Sequence, residues 1–292
     1  MNKRGFETAA KYLSMVKFSH TIFAMPFAFI GYFLAVRQVD FSNTALAILL
    51  FQIVLCMVFA RNAAMGFNRL IDRNFDAGNP RTEQREIPSG KISSKSAFWF
   101  VLLNSALFVA TCFFINSLVL YLSPVALAVV LGYSYTKRFT ALCHLVLGIG
   151  LSLAPIGAWL AVTGYFAWLP LFFSFAVVFW VSGFDIIYAL QDEKFDKSKN
   201  LYSIPVILGS KGALLTSRIF HTVSAIFIWT AAFYGNFGIL FFIGSAIYSG
   251  LLIYQQSLVS STNLSKVNLA FFTLNGIASV VFASFVIADL YW

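Results

Sequence analysis

Eight of the eleven acidic side chains in this 292-residue chain lie in two short segments: Asp72, Asp76, Glu83 and Glu86 in one, Asp185, Asp192, Glu193 and Asp196 in the other. The first segment reads NRLIDRNFD and sets Asn68, Asp72 and Asp76 at i, i+4 and i+8. On a helix these three share a stripe that drifts about 40° per step. The second reads DIIYALQDEKFD, where steps of seven and eleven residues return to within about 20° of the starting direction. Asp185, Asp192 and Asp196 therefore share a face, with Tyr188 alongside. Carboxylates this close repel one another, and near a bilayer an unpaired charge is expensive, so a cation must sit among them. Oxygen donors without His or Cys suit Mg²⁺, which keeps some waters and completes its shell with substrate phosphates. Arg69, Arg73, Arg81, Arg85, Lys91, Lys137 and Arg138 fall in polar segments close by. Of these, Arg73, Arg81, Arg85 and Lys137 are the candidates to hold phosphate oxygens, which a guanidinium can do with two parallel hydrogen bonds. The pattern predicts a diphosphate site at a membrane surface, with Glu83, Glu86 and Glu193 as solvated loop charges.

The elements that must carry these groups are membrane helices. The chain is 60% hydrophobic and 11% charged, with mean hydropathy +0.82, too apolar for a soluble domain. Apolar runs long enough to cross the hydrocarbon core cover approximately 18–36, 44–67, 97–116, 119–135, 142–163, 166–190, 213–233, 236–256 and 268–290. Very short connections alternate with the longer polar segments 68–96, 191–212 and 257–267. With the long segments on one side, every Lys and Arg except Arg37 falls there. The bias of basic residues then puts the amino terminus and the acidic clusters in the cytoplasm, and nine spans put the carboxyl terminus outside. The same placement accounts for the formal charge of +9 without nucleic acid as a partner. Residues 3–17 mix basic and apolar positions at helical spacing and read as an amphipathic helix, within 1–17, lying on the surface. The expected fold is an all-α integral membrane protein, one domain over 1–292, with segments 68–96 and 191–212 forming a cytoplasmic cap.

With Asn68, Asp72 and Asp76 followed by Asp185, Tyr188, Asp192 and Asp196, the sequence resembles the UbiA family of membrane prenyltransferases. That family's first motif is NxxxDxxxD, and its second is DxxxD preceded by a further Asp and a Tyr. The segments REIPSGKIS (85–93) and YSYTKRFT (133–140) resemble the family's stretches after the first motif and after the fourth span. The resemblance implies a Mg²⁺-dependent enzyme that transfers a polyprenyl group from its diphosphate to an aromatic acid in the plane of a bacterial inner membrane. It assigns Asn68, Asp72, Asp76, Asp185, Asp192 and Asp196 to the metal, and Asp72, Asp185, Asp192 and Tyr188 to the reaction. Within the family, segments 17–28, 63–82 and 185–196 look most like the branch that prenylates a dihydroxynaphthoate for menaquinone. The 4-hydroxybenzoate branch of ubiquinone synthesis, the alternative, usually carries a polar residue where this chain has Ile187.

His20, Arg61 and Arg138 are candidates to orient the acceptor or its carboxylate, because polar groups at membrane depth are costly unless used. His144 and His221 carry no motif and are read as structural. Cys56, Cys112 and Cys143 lie singly in apolar runs without metal-binding spacing and are read as packing residues. A divalent-cation transporter is the reading from another class. It predicts carboxylates near the midplane of several spans, whereas here they gather at one face.

Overall fold

The computed structural model describes residues 10–16 and 24–292 and is helical throughout its membrane portion. After a short helix at 10–15 (α1), the order is α2 Met25–Val36, α3 Asn43–Ile71, α4 Arg73–Ala77, α5 Ser94–Ile115, α6 Ser117–Thr136, α7 Cys143–Thr163 and α8 Trp168–Ala189. A single 3₁₀ turn, Leu190–Asp192, leads to α9 Glu193–Ser198, followed by α10 Ile204–Tyr234, α11 Ile239–Ser257, a π-helical turn Leu269–Leu274 and α12 Asn275–Tyr291.

Among the described residues, eight helical stretches are long and apolar enough to cross a membrane: α3, α5, α6, α7, the run from Trp168 to Ser198, α10, α11 and the run from Leu269 to Tyr291. The expected first span is represented by the 12-residue apolar α2, and residues 17–23, with His20, lie outside the described residues. Of the expected amphipathic segment, Met15 and Val16 are buried against Leu70, Ile87, Ile92 and Ala97.

Polar residues set the helix ends. The Ser42 and Ser93 hydroxyls accept from the backbone N–H of Ala45 and Ser96, and the Asn116 side chain accepts from Val119 N–H. Each satisfies a donor that the first turn leaves without a partner. The Asn116 amide also donates to the carbonyls of Leu160 and Ala161, tying the start of α6 to the end of α7. Gly209, at φ 64°, breaks α10 just after its Ser203 cap, so the membrane portion of that helix starts beyond the break.

The core is built around α8, whose Trp180, Phe173, Val177 and Val181 are fully buried between α2, α7, α10 and α12. Gly148 lets α7 pack closely on α8. A Cβ there would lie 2.4 Å from the carbonyl oxygen of Val178 and 2.6 Å from Ser182 Oγ. Outward-facing Phe51, Phe113, Phe114, Tyr121 and Ile253 stay exposed, as expected of helices whose outer faces meet lipid.

The segments expected to form a cap are more helical than their polarity suggests. α3 runs on through Ile71 and α4 starts at Arg73, so the first segment lacks helix only at Asp72 and over 78–93; the second consists largely of α9 and the start of α10.

Candidate functional site

Both acidic ladders sit where a long helix stops and a short one restarts. α3 ends at Asp72, whose backbone (φ −87°, ψ 2°) leaves the helix, and α4 carries Asp76 one turn later. The second ladder repeats this: Asp192 (φ −104°, ψ 1°) ends the 3₁₀ turn after α8, and α9 carries Asp196. Asp185 and Tyr188 precede the break on the last turns of α8. Asn68, Asp72, Asp76, Asp185, Tyr188, Asp192 and Asp196 all line one cavity of about 1250 Å³.

Basic side chains bridge the two walls. Arg81, in the segment after α4, donates from Nε to Asp192 Oδ1 at 2.9 Å, from Nη2 to Asp192 Oδ2, and from Nη1 to the Tyr188 hydroxyl at 2.8 Å. Its guanidinium lies 5.0 Å from the centre of the Tyr188 ring. The Asn79 amide adds a bond to Asp192 Oδ1 at 3.2 Å. Arg85 pairs with Asp76 Oδ1 at 2.7 Å, and Lys137, at the end of α6, pairs with Asp196 Oδ2 at 2.7 Å. Asp72 Oδ2 accepts from the Asn68 amide at 2.9 Å, while Arg138 lies 3.4 Å from Oδ1. Burial, and then the neighbouring Asp76 charge, push the Asp72 carboxyl above its usual range, with Arg138 opposing the shift.

Arg81, Arg85, Lys137 and Arg61 line the cavity. Arg73 does not: at the first position of α4 it folds back to donate to the Leu70 carbonyl at 2.7 Å, filling the gap left by the helix break. Arg138 also stands behind the cavity wall, where it donates to the Ile71 carbonyl at 2.9 Å as well as to Asp72, with its guanidinium against the rings of Phe75 and Tyr135. Arg69, expected in a polar loop, is within α3, is 5% exposed and lines the cavity.

His144, read as structural from the sequence, pairs with a carboxylate of the second ladder. Its Nδ1 lies 2.7 Å from Asp185 Oδ2, while its Nε2 accepts from the backbone N–H of Ile204 at 3.4 Å. With Nε2 an acceptor, Nδ1 carries the proton and donates to the carboxylate. The two residues are 41 positions apart, and no local pattern links them. The position of His144, one residue after the start of a span that directly follows the Lys137–Arg138 pair, was the available signal.

Below the polar mouth the cavity is apolar. Tyr188 stacks on Phe271, with ring centroids 4.1 Å apart, and meets Phe272 edge-on at 5.9 Å. Phe271 and Phe272 are adjacent, and the π-helical turn that carries them brings both rings onto Tyr188. Phe184 closes the cluster edge-on to Phe271 at 5.2 Å. The lining continues down α6 from Ser134 to Val119 and down α7 from His144 to Ala161. At the helical rise this is roughly 25 Å, most of the bilayer's hydrocarbon thickness. Ile187 is not part of the lining. It is buried in a side cluster with Ile204, Leu214 and Val259, so the departure noted at that position does not face an acceptor in the cavity.

Residues 24–277 match the UbiA prenyltransferase family. The chain is 30% identical over 245 residues to a 4-hydroxybenzoate octaprenyltransferase of Nitrosospira multiformis, covering 80% of each. It is 27% identical over 234 residues to one from Francisella tularensis subsp. novicida, covering 79% of this chain and 81% of the relative. The apo structure of a UbiA homolog from Aeropyrum pernix K1 superposes with a TM-score of 0.82 at 31% identity, over 92% of this chain and 98% of that one. A UbiA homolog from Archaeoglobus fulgidus, solved bound to DMAPP and Mg²⁺, shares the fold with a TM-score of 0.71 at 20% identity, over 96% of this chain and 99% of that one. The helical membrane architecture, the paired aspartate ladders and these matches agree, and the chain belongs to the UbiA family of integral membrane prenyltransferases.

Proposed function

We propose that this enzyme transfers a polyprenyl group from polyprenyl diphosphate to a hydroxylated aromatic acid, with Mg²⁺ at the aspartate ladders. The observation that carries the reading is the composite cavity: two acid ladders tied by arginine and lysine at its mouth, and an aromatic cluster leading into a long apolar groove.

The donor set fits Mg²⁺. All candidate ligands offer oxygen or an amide carbonyl, and Asp76 Oδ2 is buried with no hydrogen-bond partner. Among the described residues no three acidic, histidine or cysteine side chains converge on one point, which suits a metal that takes its remaining ligands from water and substrate phosphate. Asn68, Asp72 and Asp76 would hold metal from one wall, and Asp185, Asp192 and Asp196 from the other. Bound Mg²⁺ supplies Lewis-acid neutralisation of the leaving diphosphate.

Arg81, Arg85 and Lys137 then exchange part of their present pairing for phosphate oxygens and stabilise the charge that develops as the allylic C–O bond ionises. The rings of Tyr188, Phe184, Phe271 and Phe272 present π-faces to the allylic cation and keep water away until the acceptor ring attacks. His144 holds Asp185 in place through Nδ1. The groove along α6 and α7 takes the isoprenoid tail. Consistent with the bias of basic residues, the mouth and amino terminus face the cytoplasm of a bacterial cell.

Two acceptors have a specific observation behind them. The local resemblance of segments 17–28, 63–82 and 185–196 favours a dihydroxynaphthoate, hence menaquinone synthesis. The names of the relatives favour 4-hydroxybenzoate, hence ubiquinone synthesis. Purified enzyme with Mg²⁺, polyprenyl diphosphate and either 1,4-dihydroxy-6-naphthoate or 4-hydroxybenzoate tests both, with Asp72→Ala and Asp192→Ala as controls. Magnesium-dependent product from one acceptor, lost in both variants, establishes the reaction and selects the pathway. No product from either, with diphosphate binding intact, moves the acceptor elsewhere.

A further inference from the structure

Four of the five site aspartates are held by a lysine or an arginine: Asp72 by Arg138, Asp76 by Arg85, Asp192 by Arg81 and Asp196 by Lys137. Asp185 is the exception. Among the described residues no lysine or arginine pairs with it, and its carboxylate is held by His144 Nδ1, 2.7 Å from Oδ2. The Asp185 side chain is 23% exposed, and both residues line the cavity.

The imidazole is fixed on several sides. It is buried, its Nε2 takes the N–H of Ile204 at 3.4 Å, and the backbone carbonyl of His144 accepts from Ser182 Oγ on α8 at 3.0 Å. Ile204 opens α10, and the N–H of a first helical residue has no partner within its own helix, so His144 satisfies it. The segment before Ile204 is itself tied down, with Leu201 N–H on the Asp196 carbonyl at 2.9 Å and Tyr202 N–H on the Lys137 carbonyl at 2.7 Å. A doubly protonated ring would set Nε2–H against the Ile204 N–H. The ring therefore carries a single proton, on Nδ1, aimed at Asp185.

This partner differs from the other four in two respects. A neutral donor fixes a carboxylate without cancelling its charge. It also has nothing to offer a phosphate, because its one N–H is spent on Asp185. Arg81, Arg85 and Lys137, by contrast, hold their aspartates with the same groups that the proposed function turns toward the diphosphate. Asp185 is thus a carboxylate whose orientation does not depend on a cation that the donor competes for.

We propose that His144 is a positioning residue for the transfer reaction: it holds Asp185 through Oδ2 and leaves Oδ1, still charged, available to the metal that accompanies the diphosphate. The inference rests on the Mg²⁺-dependent reading and names the part of that site which is set before substrate binds.

The test is a double-mutant cycle read by binding. Purified full-length protein in detergent is titrated with Mn²⁺ in the presence of inorganic pyrophosphate, and bound Mn²⁺ is followed by electron paramagnetic resonance. His144→Phe keeps a ring and loses the N–H, and should weaken Mn²⁺ binding by about 10-fold or more. In an Asp185→Asn background the same replacement should matter less than about threefold, because the group it acts through is gone. His144→Asn, whose side-chain amide can stand in for Nδ1–H, should recover most of the loss. If His144→Phe does not fold, His144→Gln takes its place in the cycle, since its amide oxygen can still serve the Ile204 N–H while the bond to Asp185 is lost. Wild-type affinity in the variant without the Nδ1 donor overturns the assignment, and so does a full additional loss in the Asp185→Asn background, which would make His144 merely structural. Absence of pyrophosphate-dependent Mn²⁺ binding by wild type would sink the metal–diphosphate reading itself, and the role of His144 with it.

Discussion

Replacing Arg81 by lysine keeps the charge and removes the fork. In the wild-type structure three nitrogens of this side chain are used at once: Nε and Nη2 on the two oxygens of Asp192, and Nη1 on the Tyr188 hydroxyl. An ammonium on a flexible stem can reproduce one of these, so two charge-assisted bonds are lost, each worth about 1.5–3 kcal/mol in a protected setting. The Arg81 side chain is 30% exposed, and solvent screening reduces the sum to about 2 kcal/mol, or roughly 30-fold in an equilibrium or rate constant. The loss should appear in kcat/KM for polyprenyl diphosphate, measured with saturating acceptor and Mg²⁺ in detergent, because Arg81 spans the two acidic walls to which the proposed function assigns the phosphates. The KM for the aromatic acceptor should change less than threefold. A variant with wild-type kcat/KM for the diphosphate refutes the view that the fork organises this site. A loss confined to the acceptor's KM refutes the placement of the donor.

Three further outcomes follow from the geometry. Because the Asp72 carboxyl is held above its usual range, the folded protein binds protons more readily there than the unfolded chain does. Metal-free protein in chelator should therefore gain stability as pH falls through the raised value, lose that gain as pH rises through it, and show a flatter profile of Tm against pH in Asp72→Asn. Gly148→Val forces side-chain carbon against the Val178 carbonyl, where even a Cβ lies at 2.4 Å, and overpacking of this kind costs about 1–3 kcal/mol; thermal unfolding should show a Tm lower by several degrees. Tyr188→Phe keeps the stack on Phe271 but loses the hydroxyl that Arg81 uses, so kcat should fall by less than about tenfold, with a larger fall in Tyr188→Leu, where the π-face goes too; equal losses in the two variants would remove the ring from the mechanism.

The parts legible from sequence are those governed by helical register. Asn68, Asp72 and Asp76 lie within nine residues, and Asp185, Tyr188 and Asp192 within eight, so their shared face follows from local periodicity once a helix is assumed. The eight long apolar helices were visible for the same reason. What stayed hidden is tertiary. Nothing near Asp185 announces His144, because the contact forms only when α7 and α8 pack through Gly148. Arg73 and Arg81 look equivalent as loop cations, yet the helix break at Asp72 leaves an open carbonyl at Leu70 that captures Arg73, while Arg81 reaches the opposite wall. Arg69 was assigned to a loop because charge reads as the end of a span, but α3 runs on to Ile71 and carries that charge into the cavity.

The helix breaks at Asp72 and Asp192 explain why two ladders on separate spans can act as one site. In an unbroken helix the second acid of each pair would continue the same stripe about 6 Å further along the axis, away from the cavity and into solvent. Stopping the helix at the first acid and restarting it as a one-turn segment turns Asp76 and Asp196 back toward the cavity instead, where both are buried. The chain released by the first break then supplies Asn79 and Arg81 to Asp192 on the other wall, and the end of α6 supplies Arg138 to Asp72 and Lys137 to Asp196. Each wall is thus held by cations anchored elsewhere, and the acids stay close together without bound metal because those cations offset their repulsion. Under the proposed function, a diphosphate entering with its metal would meet carboxylates already gathered, and the arginines and lysine proposed to hold its phosphates are the groups that keep them gathered.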